Sequence, residues 1–135
     1  MLIPDNFSII DPHIHQWDII NTPRVLSLPK KLLGWNQSLY ESVLAIAASK
    51  ADKNFVGKIS HVANNYLPSN YGYDSRRLNI SNVVHIEADW NDKSDFGPVK
   101  ETEWVESLFS ERTNPSLGGI IGHLDLRRQP HRHPY

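Results

Sequence analysis

The sequence predicts an α/β chain built on parallel strands, and three observations carry that prediction. Apolar and polar residues alternate over residues 9–15, 82–90 and 118–126, the period of two expected of a half-buried strand. A helical stripe over about 98–111 separates the second run from the third, and strand–helix–strand order normally gives parallel strands with a right-handed crossover. Each run also turns polar on one parity toward its end, gathering histidines and acids there.

The first run, Ile9-Ile10-Asp11-Pro12-His13-Ile14-His15, is followed by Gln16-Trp17-Asp18. In an extended chain Asp11, His13 and His15 share one face, and Ile10, Pro12 and Ile14 the other. After Asp18 a segment with Pro23 and Pro29 reads as a loop where a flap can lie. Leu26, Leu28, Leu32, Leu33 and Trp35 imply that much of it packs down. Residues 37–50 read as a helix, with Leu39, Tyr40, Val43, Leu44 and Ala47 on one face and Asn36 or Ser38 as its cap. From Asp52 to Ser81 the signals are mixed, with Gly57, Pro68 and Gly72 interrupting two short helices, and His61 reads as a surface or packing residue.

In the second strand Val84, Ile86 and Ala88 occupy one parity, and Val83, His85, Glu87 and Asp89 the other. That pattern suits a barrel strand whose inward residues at the C-terminal mouth form a site, and equally an edge strand with one wet face. Asp92, Ser94 or Asp95 leads into the next helix, and Pro98 fits its first turn. Glu101 and Glu103 place acidic charge near its positive end, while Trp104, Val105, Leu108 and Phe109 form an apolar core stripe. The third strand carries Ile120, Gly122, Leu124 and Leu126 on one parity and Ile121, His123 and Asp125 on the other.

With 135 residues, 39% of them hydrophobic, the chain has the length of one domain with a modest core. Fourteen basic and fifteen acidic residues nearly cancel, so no charge footprint points to nucleic acid or an anionic membrane. Zero cysteines exclude disulfides and thiolate metal ligands. The N-terminus lacks the pattern of a signal peptide and no stretch reaches transmembrane length, so a cytoplasmic protein is expected. The Asn-x-Ser sequons at Asn6, Asn36 and Asn79 then read as chance matches.

The spacing of His13 and His15 brings two imidazoles toward one point, which suits a divalent metal such as zinc with a coordination position left for water. Asp11 or Asp18 is placed to fix a histidine tautomer. The plainer reading makes the two histidines ordinary polar residues at a strand end. A cupin site is disfavoured, because its glutamate would follow the second histidine by four or five residues, where this chain has Ile19 and Ile20.

The strand ending in Asp-x-His-x-His, together with Leu32-Leu33-Gly34-Trp35-Asn36, Asn54-Phe55-Val56-Gly57, Tyr66-Leu67-Pro68, Val84-His85-Ile86-Glu87-Ala88-Asp89-Trp90 and Glu101-Thr102-Glu103-Trp104-Val105, resembles the amidohydrolase superfamily. The likeness is to its branch of TIM-barrel metal-dependent hydrolases that includes sugar lactonases, and it runs from about Ile9 to about Arg127. The resemblance implies the N-terminal portion of a (β/α)8 TIM-type barrel, truncated after about three strands, since a full barrel needs roughly 250 residues. Residues 1–127 would form that partial domain and 128–135 a basic, disordered Pro/His tail in which His131 and His133 make no second metal site. The resemblance further implies a zinc-type cation on His13 and His15, hydrolysis of a lactone, ester or amide carbonyl by metal-activated water, and a small-molecule carbonyl substrate. Some relatives instead decarboxylate. Trp17, His85, Glu87, His123 and Asp125 are the substrate-binding or mouth-lining candidates, with Glu87 also able to contact the metal. Ligands and a catalytic aspartate that the family draws from later strands have no counterpart here, so the catalytic residue is unassigned. The alternative is an inactive truncated fragment acting only as a metal-binding or partner-binding module. An open strand edge and uncovered apolar surface favour a homo-oligomer.

Overall fold

The computed structural model describes residues 7–24, 64–88, 90–94 and 96–124, with the isolated positions 38, 39, 42, 46, 54 and 62. The elements whose bounds lie among the described residues are, in order, β1 (Ile9–Ile14), α1 (Pro68–Asp74), β2 (Ile80–Ile86), α2 (Gly97–Leu108) and β3 (Ser116–Ile121). The strands make one sheet in the order β1-β2-β3, with both pairings parallel. The predicted α/β class and strand direction therefore stand. Among the described residues the sheet has three strands and does not close into a barrel.

Strand β1 forms from an isoleucine-rich run that pairs Ile9 with Ile80 and Ile14 with His85. Pro12 has no N–H to give the ladder, and the register shifts between Asp11 and Ile14. Ile14, Ile80 and Val83 form the buried centre, with Ile9, Tyr71 and Phe109 packed against it. Burying each of these aliphatic side chains contributes about 1.5–3 kcal/mol.

Helix α1 starts where Pro68 presets the first-turn backbone and the Asn70 carboxamide oxygen accepts the Leu67 N–H. Helix α2 also has a proline in its first turn and buries Gly97, Glu101 and Val105, residues four apart on one stripe. A methyl group at Gly97 would collide with the Asp92 carbonyl oxygen, so glycine lets the preceding loop lie against the helix start. Lys100 ties the same loop down through the Asp92 carboxylate at 2.8 Å.

Two strands differ from expectation at both of their ends. Strand β2 begins at Ile80 and stops at Ile86 rather than running to Trp90, because the Ala88 N–H leaves the ladder for the Glu101 carboxylate. Strand β3 begins two residues earlier than predicted and ends at Ile121, opposite the last residue of β2. Of the mixed stretch before β2, one short helix is α1. Most of the helix expected over 37–50, His61, Asp89, Asp125 and the tail 128–135 lie outside the described residues. No helix among the described residues is long and apolar enough to cross a membrane.

Candidate functional site

Parallel strands bring their carboxyl ends to the same side, the usual place for a site in a sheet of this kind. At the end of β1, His13 is exposed and His15 half-buried, and their Nε2 atoms stand 3.1 Å apart. The ring of His15 is clasped from behind: its Nδ1 faces the carbonyl oxygens of Ile86 at 3.0 Å and Glu87 at 3.2 Å. A carbonyl oxygen only accepts, so Nδ1 carries the hydrogen and the Nε2 lone pair is turned toward His13. The contact is a hydrogen bond in which His13 Nε2–H donates to that lone pair. Two imidazole nitrogens sharing one tetrahedral zinc ion at ~2.0–2.1 Å would stand about 3.3 Å apart, a spacing close to this one. Among the described residues, no cluster of three or more histidine, aspartate or glutamate side chains is arranged to hold a metal.

The carboxylates expected to fix a histidine tautomer do something else. Asp11 accepts the His13 backbone N–H at 3.1 Å and the Tyr71 hydroxyl at 2.7 Å, bracing β1 against α1. Asp18 caps the following turn, accepting the Ile20 and Asn21 backbone N–H groups and the Asn21 carboxamide. Burial works to raise the Asp18 pKa, but these hydrogen bonds, with one from Asn65, hold it below the ordinary value. The tautomer task falls to main-chain carbonyls at the end of β2, which no sequence motif announces.

Behind the histidines lies a buried polar hub. Glu101 on α2, 3% exposed, accepts the Ala88 N–H at 2.9 Å and the Arg24 guanidinium at 3.2 Å on the same oxygen, Oε1. Arg24 is held with its guanidinium carbon 5.2 Å from the Trp90 ring centre and 5.3 Å from that of Trp104, an arrangement favouring a cation on both indoles. It also donates to the Gln16 carbonyl oxygen at 3.3 Å. The Gln16 N–H donates to Nδ1 of His85 at 3.2 Å, which places the His85 hydrogen on Nε2. That nitrogen is 3.8 Å from Glu101 Oε1, an electrostatic contact too long for a hydrogen bond. Burial opposes ionisation of Glu101, but His85, the Ala88 N–H and Arg24 outweigh it and hold the carboxyl below the usual range.

His85 is therefore fully buried rather than on the rim of the site. Glu87 and His123 stay at the strand ends as an exposed pair, Nδ1 to Oε2 at 3.0 Å, and the Glu87 N–H extends the ladder to the Ile121 carbonyl. Trp17 donates its indole N–H to the Asn64 carbonyl at 2.6 Å and stacks on Tyr66 with ring centres 5.2 Å apart. Tyr66 in turn lines an open groove of about 420 Å³ with Asn65, Ser69, Tyr73 and Asp74, and none of the strand-end histidines borders it. Sequence reasoning missed Arg24 and placed Glu101 only as acidic charge at a helix start. The four-residue spacing from Gly97 through Glu101 to Val105 was the available sign that this acid faces inward.

No protein-family model matches the chain, and neither does any curated protein or solved structure.

Proposed function

We propose that the chain is a metal-dependent hydrolase of the amidohydrolase type, with His13 and His15 as ligands to a divalent cation, zinc first among them. The observation that carries this reading is the convergence of the two Nε2 atoms at 3.1 Å with the far side of His15 committed to main-chain carbonyls. Bound there, the cation would supply Lewis acidity and a water of lowered pKa for attack on a lactone, ester or amide carbonyl. His15 presents a lone pair of fixed direction, and His13, hinged on its Asp11 contact, supplies the second nitrogen. Glu87, whose carboxylate pairs with His123 on the neighbouring strand end, is the candidate we assign to contact the metal or substrate, and the proton-transfer residue is left unassigned.

The test is the metal content of the purified, size-fractionated chain beside a His13→Ala/His15→Ala double variant, followed by a lactone hydrolysis screen. Near-stoichiometric zinc that the variant loses, with turnover that disappears alongside it, is the expected result. Zinc retained without turnover on any lactone, ester or amide would leave a metal-binding module as the function. A folded wild-type chain that takes up no divalent metal would end the hydrolase reading.

A further inference from the structure

We infer that Glu101 is a positioning residue for the histidine pair, acting through the two backbone segments that hold His15. The inference rests on the proposed role of His13 and His15, and it deepens that role by naming what keeps the pair aimed.

The ladder ends at Ile14 and Ile86, so the backbone just beyond it must find other partners. On the β1 side, Gln16 gives its N–H to His85 and receives Arg24 on its carbonyl oxygen. On the β2 side, Ala88 gives its N–H to Glu101. Glu101 faces every one of these partners: it pairs with Arg24 at 3.2 Å, stands 3.8 Å from His85 Nε2, and accepts from Ala88 directly. His15 is the residue before Gln16, and its clasp is made of the carbonyls of Ile86 and Glu87, the two residues before Ala88. One carboxylate on a helix therefore fixes both the ring and the carbonyls that orient it, from the dry side of the sheet.

The other charged and titratable groups of α2 leave this task to Glu101. Lys100 is turned to Asp92, and Glu103 and Glu106 are exposed. Groups facing Glu101 come from the loop after β1 (Arg24) and from β2 (His85).

The experiment compares wild type with Glu101→Gln and Arg24→Lys, and uses Glu106→Gln as a control on the exposed face of the same helix. Glutamine keeps an acceptor for Ala88 but loses the charge facing Arg24. Lysine keeps a cation against the two indoles but lacks the second nitrogen that reaches the Gln16 carbonyl. Imidazole nitrogen NMR reads the His15 tautomer without any metal, and zinc titration reads the affinity. Wild type and the control should show a single His15 tautomer with the hydrogen on Nδ1. Both test variants should show mixed tautomers and zinc binding weakened by about tenfold or more, within the usual range for the loss of a ligand-orienting partner.

A folded Glu101→Gln chain with the wild-type tautomer and unchanged zinc affinity would overturn the inference. So would loss of fold in both test variants, which would reduce Glu101 to a support of the core. If wild type takes up no zinc, the metal reading fails on its own, and the tautomer comparison still decides whether Glu101 aims His15.

Discussion

At the scale of single residues, the hub sets how stability responds to pH. Glu101 and Asp18 ionise more readily in the folded chain than in the unfolded one. A depressed carboxylate contributes stability that is fully present above its unfolded value, about 4.3 for glutamate, and fades as pH falls through the folded value. The tyrosines have the opposite sign. Burial and the hydrogen bond to Asp74 push Tyr66 up to about 12, and burial with the bond to Asp11 raises Tyr71 further. Their contribution is present below the ordinary tyrosine value of about 10 and is lost as pH rises through the raised values. Melting temperature against pH should thus show a plateau from about pH 5 to about pH 10 with a falling limb on either side. Tyr71→Phe, which removes the hydroxyl that Asp11 accepts, should cost about 1 kcal/mol at neutral pH and flatten the alkaline limb. Glu101→Ala should cost far more, about 3–5 kcal/mol in urea unfolding, since it takes the carboxylate away from a buried guanidinium.

At the scale of elements, α2 holds the site through a narrow stripe. Val105 is fully buried, and Val105→Ala should cost about 2 kcal/mol, the transfer of two methyl groups plus the void they leave. Gly97→Ala should destabilise as well, by forcing the 91–94 loop off the helix start, and urea midpoints at constant slope would measure both. This helix also shows how far the sequence could be read. Its limits, 97–108 against an expected 98–111, follow from Pro98 and the apolar spacing, which are local signals. So do the three strands and their direction. The histidine pair was legible for the same reason, because a two-residue spacing on a strand fixes which side chains share a face. The hub was not. Its members, Gln16, Arg24, His85 and Glu101, are joined by contacts spanning up to 77 positions, and only folding brings them together. The end of β2 departs from the alternation pattern because Ala88 bonds to a helix side chain instead of a neighbouring strand, a competition that β-propensity does not record.

At the scale of the whole molecule, two features bear on assembly and on ligand linkage. Among the described residues β1 and β3 each pair on one side only, and Ile10 and Ile121 are exposed by 61% and 55%. A sheet open at both margins with apolar side chains there is prone to edge-to-edge association. Light scattering should find species larger than the 15.5 kDa chain, and Ile10→Lys with Ile121→Lys should shift them toward the monomer. Zinc, if it binds the folded chain alone, should raise the unfolding free energy by about 2.7 kcal/mol at a hundredfold excess over Kd. Chelation should reverse that gain, and the His13→Ala/His15→Ala variant should show none of it.

The indoles of Trp90 and Trp104 lie 5.8 Å apart, with a guanidinium against both. Chromophores this close share their excited states, so the folded chain should display an exciton couplet in its circular dichroism. That optical signal would vanish when Arg24 leaves its seat, giving a reading of the hub's integrity from light alone, with no label attached.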